Sequence, residues 1–424
     1  MLGLTDLSPA TRRNLAFELL YSASAGVVMG LAHLGQVTVL GSLDGDAATT
    51  TVMVAAFPAA NVLQPWWAAL ARRFRLKSLA LVSGALRCLP LFAIGLAADA
   101  WSFTLLIVAF HFLAGPHQLA VPSLYKYNYP DSHRGRIIGV FRLLQNGMAL
   151  PVMLGSAALL DWEPTLYQII YPAGGALGLL GLLFYACLSI PDDKPADRAA
   201  QSERPTWSRI AAVLRRDQNF RLFQATIWLT GAGFLMSRSI WLYLLRDMFG
   251  LSQFELTLLV QVMPIVLGAV TSPLWGWLID RTTPVAGRVA FAWLGIFAYA
   301  AIFASFLGEW LWLAYAGAIL RGLVLGAAEV ATTTGNLYFS VYRERAALYE
   351  SISSLFQGIR GLSMPLLGWL LFLALHEFLF LVPTVLNAWS LLLAVQLYRR
   401  DRAERPADAL ARLEMLEKAV DQEE

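Results

Sequence analysis

The chain has 424 residues, of which 58% are hydrophobic and 14% are charged, and its mean hydropathy is +0.57. Soluble domains carry about a quarter charged residues, and a soluble protein this apolar would expose large apolar patches. The composition therefore excludes a soluble fold, and the same apolar fraction excludes a disordered chain. A formal net charge of +3 is too small to indicate a nucleic-acid-binding protein.

Continuous apolar runs recur along the chain about every thirty to forty residues. A helix needs about 20 apolar residues to cross a bilayer, whereas the strands of a membrane barrel show alternating segments of about ten residues. The sequence therefore predicts an all-α integral membrane protein with twelve transmembrane spans. They lie near residues 14–40, 48–71, 77–98, 101–125, 134–160, 165–190, 219–248, 254–280, 285–307, 309–338, 346–373 and 376–399.

One long polar stretch separates the spans into two sets of six. The predicted parts are an N-terminal six-helix half at 1–190, a cytoplasmic central loop at 191–218, a C-terminal six-helix half at 219–399 and a cytoplasmic tail at 400–424.

Within the central loop, apolar side chains recur at helical spacing among arginines. They are Trp207, Ile210, Ala211 and Leu214, and they predict a short helix at the inner membrane interface. In the tail, Leu410, Leu413, Leu416 and Val420 show a similar spacing, for which a solvated tail is the simpler explanation.

Lysine and arginine lie almost entirely in the loops of one side. The loops after the first, third, fifth, ninth and eleventh spans contain none, and the intervening loops are basic. Because basic loops face the cytoplasm, we expect a multi-pass protein of the cytoplasmic (inner) membrane with both termini inside. Arg281 and Arg288 are counted among these loop markers.

Two pairs of segments indicate an internal repeat. Pro65–Arg73 aligns with Pro273–Arg281 at a shift of 208 residues. Leu124-Tyr125…Tyr129 aligns with Leu337-Tyr338…Tyr342 at a shift of 213. Two parallel six-helix halves explain both pairs, and such halves are a standard transporter architecture with a site near the membrane midplane.

The segment P-x-x-G-x-x-x-D-R at Pro273–Arg281 resembles the signature motif of the major facilitator superfamily. The resemblance implies twelve helices in a pseudo-symmetric 6+6 fold. It also implies that Gly276 lets a neighbouring helix approach closely, and that Asp280 with Arg281 holds the inside gate shut at a helix N-terminus. A basic turn that only fixes topology is the alternative. The copy at Pro65–Arg73 keeps neither the glycine nor the aspartate.

Ionisable residues within a span are functional candidates, because each costs a few kcal/mol in the bilayer interior. The acids are Glu18 and Glu329. Glu18 lies one turn inside the first span, within reach of the cytoplasmic interface, so a structural role is favoured for it. The arginines are Arg87, Arg142, Arg238, Arg321 and Arg360.

The same resemblance implies that the first, fourth, seventh and tenth spans line a central cavity. Positive charges outnumber negative ones within the spans, so we expect Arg238 and Arg321 to bind an anionic group of the substrate. Polar residues on the cavity-lining spans that would also contact substrate are His33, Gln36 and His111. For each arginine, a bond that ties helices together is the alternative.

Glu329, together with His117, is the predicted proton-coupling site, since intramembrane acids and histidines serve as proton relays. The aromatic residues Tyr21, Phe234, Trp241 and Tyr243 favour an amphiphilic or anionic solute.

No sequence motif of an enzyme or of an ATP-binding loop is found, so no catalytic residue, cofactor or metal is expected. Cys88 and Cys187 lie in apolar runs, which argues against a disulfide framework. The sequence thus predicts a monomeric secondary active transporter, in a lipid bilayer, that moves a small organic solute by alternating access with protons. The alternatives are a lipid or amphiphile flippase of the same fold, or a non-transporting membrane sensor or scaffold.

Overall fold

The computed structural model describes residues 8–64, 66–67, 73–129, 131–189, 207–339 and 346–403. Helices make up nearly all of these ranges, and no β-strand occurs within them. The all-α fold class is confirmed.

The helices of the first half are α1 Pro9–Ser42, α2 Ala47–Val62, α3 Leu76–Ile94, α4 Ala100–Asn128, α5 Asp131–Trp162 and, after a 3₁₀ turn, α6 Tyr167–Ala186. Those that follow are α7 Trp207–Arg216, α8 Gln218–Phe249, α9 Gln253–Thr257, α10 Met263–Arg281, α11 Pro284–Leu307, α12 Leu311–Phe339, α13 Ala346–Leu375 and α14 Leu381–Ala403. A π-helical turn at Leu258–Val262 joins α9 to α10, and a 3₁₀ turn at His376–Phe380 joins α13 to α14.

These helices account for the twelve predicted spans. Within the described ranges, nine segments are long and apolar enough to cross a membrane, and one of them, Tyr349–Ala403, contains both α13 and α14. The shorter apolar helix α2 and the 32-residue α8 supply the remaining two. The protein is therefore a multi-pass membrane protein with the twelve-helix arrangement that the sequence predicts.

Side-chain caps fix where several helices begin. Asp46 and Asp99 each accept a hydrogen bond from a backbone amide in the first turn, and each forms a capping box, at α2 and α4 respectively. Asp217 caps α8 in the same way, and Thr283 caps α11. Such caps satisfy amides that have no partner within the helix, so the polar residues of the short loops determine the helix boundaries.

The chain divides into two compact units, which are Met1–Ser202 with Leu251–Thr257 and Glu203–Gly250 with Leu258–Glu424. The short helix α9 thus belongs to the first unit. Asp161 at the end of α5 accepts hydrogen bonds from the backbone amides of Gln253 (2.6 Å) and Phe254 (2.8 Å). The Gln253 side chain donates to Ser42 Oγ at the end of α1 (3.2 Å).

Helix α7 matches the short helix predicted in the central loop. Its apolar residues Ile210 and Val213 are buried in a protein core that includes Phe220 and Phe223 of α8. A helix thus lies where the sequence predicts one, and Ile210 of its apolar face packs on protein; its location at the membrane interface stays a prediction. Residues 191–206 of the loop and the tail at 404–424 lie outside the described residues.

Glycines allow α10 and α12 to pack closely within the second unit. A Cβ atom at Gly326 would lie 2.6 Å from the Gly268 carbonyl oxygen, and one at Gly322 would lie 2.6 Å from Leu267 Cβ. Close backbone approach at small residues is a common way to join helices in a membrane. Gly322 and Gly326 lie within the five residues that follow Arg321, and both therefore serve helix packing next to it.

We expect Gly326→Ala to destabilise the protein by about 1–3 kcal/mol, because the added methyl group meets backbone that cannot move aside cheaply. The thermal unfolding midpoint of the purified protein measures the effect. Gly155→Ala is the control, since a Cβ there meets no atom within 4 Å and alanine favours the helix. Equal midpoints for both variants would contradict the proposed packing.

Candidate functional site

Arg321 lies in an aromatic box within the second unit. The side chain is only 3% exposed, and its guanidinium carbon lies 4.5 Å from the ring centroids of both Phe234 and Trp241. Tyr299 of α11 forms a third side at 5.9 Å. A desolvated cation over aromatic faces gains about 2 kcal/mol from each favourable contact, so these rings help to hold the guanidinium group in place.

Several donors in this box have no hydrogen-bond acceptor among the described residues. They are Nε and Nη1 of Arg321 and the indole Nε1 of Trp241. A buried donor without an acceptor costs about 1–3 kcal/mol, and more when it is charged. Arg238 of α8 is half-buried and close enough to interact electrostatically with Arg321. Two cations and a neutral donor together suit a carboxylate or another oxyanion.

The structure thus places Arg238 within electrostatic range of Arg321, and Phe234 and Trp241 beside Arg321. Substrate binding by the two arginines stays a prediction. Tyr243, also a predicted cavity residue, packs edge-on against Phe372. The side chain of Glu329 lies outside the described residues, so its role stays a prediction.

The first unit contains a buried carboxyl group. Glu18 of α1 is 0% exposed, and the Tyr129 hydroxyl donates a hydrogen bond to its Oε2 at 2.9 Å. Its Oε1 has no partner among the described residues. The expectation that Glu18 reaches the cytoplasmic interface is wrong, because Tyr129, packed against Tyr125 and Phe141, holds the carboxyl group inside the unit.

His117 of α4 forms the second polar contact of α1. Its Nδ1 lies 2.8 Å from the Ala80 carbonyl oxygen, and its Nε2 is hydrogen-bonded to the Tyr21 hydroxyl. A carbonyl oxygen can only accept, so Nδ1 carries a proton, and Nε2 of the neutral ring accepts from Tyr21. Protonation of the ring would reverse this second bond. Tyr21 lies three residues after Glu18, so both contacts share one face of α1.

The other predicted residues of the first unit have different surroundings. His33 is half-buried and has interaction partners, and Gln36 is buried on the same helix. His111 lies edge-on to Phe57 and Phe110, with ring centroids 5.8 and 5.3 Å away. Arg87 is half-buried and lies close enough to Tyr21 and His117 to interact with both.

Arg288 was counted as a loop marker, and this prediction is wrong. The side chain is 2% exposed, and it donates from Nε to Thr226 Oγ1 (3.2 Å) and from Nη2 to Thr230 Oγ1 (3.0 Å) of α8. The Phe291 ring centroid lies 4.5 Å from the guanidinium carbon. The position of Arg288 one turn inside α11 and the four-residue spacing of the threonines are signals in the sequence that indicate this contact.

The remaining two arginines within the spans differ in the exposure of their side chains. Arg142 is exposed, so it is not a buried charge in this structure. Arg360 of α13 is half-buried and donates a hydrogen bond from Nη1 to the Ile227 carbonyl oxygen of α8. This bond connects two helices, which is the alternative to substrate binding for an embedded arginine.

Comparison with known proteins identifies the family. The family model of the Major Facilitator Superfamily matches residues 15–368. The chain belongs to this superfamily. No curated protein matches the chain.

Solved transporters share the superfamily fold with this chain. A mutant of the nucleoside transporter NupG has a TM-score of 0.66 at 15% identity. The matched region covers 91% of this chain and 99% of the NupG chain. A bacterial homologue of the human lysosomal transporter Spinster gives 0.66 at 16%, with 92% and 97% covered. A POT family transporter in complex with a thioalcohol-conjugated peptide gives 0.69 at 12%, with 92% and 96% covered. At these identities the likeness concerns the fold alone.

The superfamily motif at Pro273–Arg281 is loosely packed and partly exposed in this structure. A Cβ atom at Gly276 would meet no atom within 4 Å, so the expected close approach of a neighbouring helix is not found among the described residues. Asp280 and Arg281 are exposed, and the Arg281 guanidinium lies 4.2 Å over the Trp277 ring. Their gating role stays a prediction, and Arg72 of the first copy lies outside the described residues.

No group of three or more His, Cys, Asp or Glu side chains suited to a metal occurs in the described part of the chain. Both cysteines are free, Cys88 buried and Cys187 exposed.

Two tyrosines at the ends of the corresponding helices α4 and α12 test the buried acid site. We expect Tyr129→Phe to destabilise the protein by about 1–3 kcal/mol, because Glu18 loses its described hydrogen bond inside the unit. Tyr338→Phe is the matched control, since Tyr338 is 42% exposed and donates to Asp401 at the surface. Thermal unfolding of both variants gives the comparison, and an equal loss would show that the Glu18 contact carries no special weight.

Proposed function

We propose that this member of the Major Facilitator Superfamily is a secondary active transporter of a small organic anion, working by alternating access in the cytoplasmic membrane. The observation that supports an anionic substrate is Arg321, which is buried in an aromatic box with two guanidinium nitrogens that lack acceptors. Arg238 adds a second positive charge beside it. A substrate carboxylate or phosphate would supply the acceptors that these donors lack.

The aromatic walls of the same box favour an amphiphilic anion. Phe234 and Trp241 present apolar area next to the guanidinium, so a solute with an anionic group and an apolar or aromatic body would satisfy both parts of the site. The residues proposed to contact substrate are Arg238, Arg321, His33, Gln36 and His111.

The proton-coupling part of the proposal rests on the acids and histidines within the spans. His117 and Glu329 are the residues indicated by the sequence. The buried carboxyl group of Glu18 is a third candidate. Glu18 has one described hydrogen bond and one oxygen without a partner, a setting in which a carboxylate is far more costly than a neutral carboxyl group. Glu18 is therefore proposed to take up and release a proton during transport.

Arg321→Gln tests the anion site. In proteoliposomes with an imposed pH difference, the wild-type chain should transport at least one member of a panel of radiolabelled carboxylates and phosphate monoesters. The variant should transport it about ten- to a hundredfold more slowly, because it loses a charge-assisted hydrogen bond worth about 1.5–3 kcal/mol. Arg321→Lys should lie between the two, since lysine keeps the charge and loses the planar fork.

Arg246→Gln is the matched control, because Arg246 lies on the same helix eight residues after Arg238, in its last turn. Its transport rate should stay near the wild-type value. Undiminished flux through Arg321→Gln would overturn the anion site, and movement of a fluorescent lipid without flux of any soluble anion would favour the flippase alternative.

Glu18→Gln tests the proton coupling. Glutamine is nearly isosteric with the protonated acid and still accepts the Tyr129 hydrogen bond, so the variant should fold and exchange substrate at equal pH on both sides. The acceleration of uptake by a pH difference should be lost. Asp247→Asn, at an exposed carboxylate, should keep the acceleration. A full response to the pH difference in Glu18→Gln would exclude Glu18, and the same assay on His117→Gln and Glu329→Gln would test the other two residues.

A further inference from the structure

Two arginines outside the proposed substrate site contact helix α8. Arg288 of α11 donates to the hydroxyl groups of Thr226 and Thr230, and Arg360 of α13 donates to the Ile227 carbonyl oxygen. Arg360 lies directly on the helix backbone, because a Cβ atom at Gly231 would come within 2.1 Å of its guanidinium carbon. Two helices thus each place a guanidinium group on the same two turns of α8.

These contacts lie on the same side of α8 as the Arg321 box. Positions 226, 230, 234 and 238 are four residues apart, so each is rotated by only about 40° from the one before. Thr226 precedes Phe234 by eight residues, which corresponds to about 12 Å along the helix. From Thr226 to Arg238 the rotation adds up to about 120°, so these positions lie within about a third of the circumference of α8.

The Arg288–Arg360 pair lacks a countercharge in the described part of the chain. Arg288 is bound by two neutral hydroxyls and a phenyl ring, Arg360 by a neutral carbonyl, and no described carboxylate forms an ion pair with either. The two groups are close enough to interact electrostatically, and Nε of Arg360 has no acceptor. Two like charges inside a membrane protein repel one another, and an anion between them would reverse this cost.

The threonine hydroxyls position Arg288 and leave its charge uncompensated. Thr226 and Thr230 each donate to a backbone carbonyl oxygen of α8, at 2.7 and 2.9 Å, so their oxygens face Arg288 as acceptors. Arg288 is thereby held by Nε and Nη2 through neutral acceptors. Such an arrangement fixes a guanidinium group without neutralising its charge.

We propose that Arg288 and Arg360 form a second oxyanion site, about two turns of α8 from the Arg238–Arg321 site. Its ligand would be a carboxylate or phosphate group, supplied either by a soluble anion, such as the substrate on its path, or by the headgroup of an anionic lipid. The role as a step on the substrate path rests on the proposed function. The binding of an oxyanion at this pair does not.

Binding of inorganic phosphate to the full chain tests the site. The starting protein is Arg321→Gln in phosphatidylcholine nanodiscs, so that the Arg238–Arg321 site contributes little. Tryptophan fluorescence follows thermal unfolding in phosphate and in chloride at equal ionic strength. Phosphate should raise the unfolding midpoint of Arg321→Gln by a few degrees, and the rise should disappear in Arg321→Gln/Arg360→Gln. Arg360 is half-buried, so this variant should fold even where Arg288→Gln does not.

A second arm separates the two sources of the anion. Nanodiscs containing phosphatidylglycerol replace the phosphate. If a lipid headgroup is the ligand, phosphatidylglycerol should raise the midpoint only when Arg360 is present, and added phosphate should then have no further effect. If a soluble anion is the ligand, the phosphate effect should be the same in both lipids. Arg321→Gln/Arg246→Gln is the control and should behave like Arg321→Gln.

The inference is overturned if neither phosphate nor phosphatidylglycerol shifts the midpoint, or if the shift is unchanged by Arg360→Gln. Failure of the proposed function has a different readout, which is undiminished flux of an anion through Arg321→Gln. The two results are independent, because the first measures stability without transport and the second measures transport with Arg288 and Arg360 intact.

Discussion

A charged group inside a membrane protein must be hydrogen-bonded, stacked or neutralised, because lipid offers it no solvation. The second unit meets this requirement for Arg288, Arg321 and Arg360 without a described carboxylate partner. Arg321 is stacked among aromatic rings, Arg288 is bound by two threonine hydroxyls, and Arg360 is bound by a backbone carbonyl. Each solution fixes the position of the guanidinium group and leaves its charge in place, so the unit keeps a positive interior that an anion can complete.

Close packing around α8 makes this arrangement rigid. A Cβ atom at Gly368 of α13 would lie 2.2 Å from the Met236 carbonyl oxygen, and one at Gly335 of α12 would lie 2.0 Å from the Phe223 ring. Because α13 packs on the backbone of α8 and α12 packs on its Phe223 side chain, the side chains that they direct toward α8 have little freedom to move. A guanidinium held in this way has lost its conformational entropy before a ligand arrives, which favours binding.

The sequence predicts most of the fold and some of the ionisable residues buried within it, and the reasons can be separated. Span lengths and basic loops follow from the bilayer, and the twelve helices were therefore predictable from composition along the chain. Arg238 and Arg321 were predictable because a charge within an apolar run stands out. Arg288 was missed because it lies within one turn of a helix end, where a loop marker and a buried residue look alike. Glu18 was misjudged for the same reason, since depth along a helix does not tell which neighbour, here Tyr129, faces it.

The internal repeat conserves the architecture and not the chemistry. Tyr129 and Tyr338 lie at the ends of the corresponding helices α4 and α12, yet the first is buried against the acid Glu18 and the second lies at the surface against Asp401. The first unit consequently places groups that can exchange protons, Glu18 and His117, among tyrosines, whereas the second places guanidinium groups along α8. A duplicated six-helix frame supplies helix positions to both units, and the residues that differ between the copies give each unit its own electrostatics. An acid and a histidine can change charge within the pH range of a cell and an arginine cannot, so the proposed proton sites at Glu18 and His117 and the guanidinium groups along α8 give the two units different electrostatic properties.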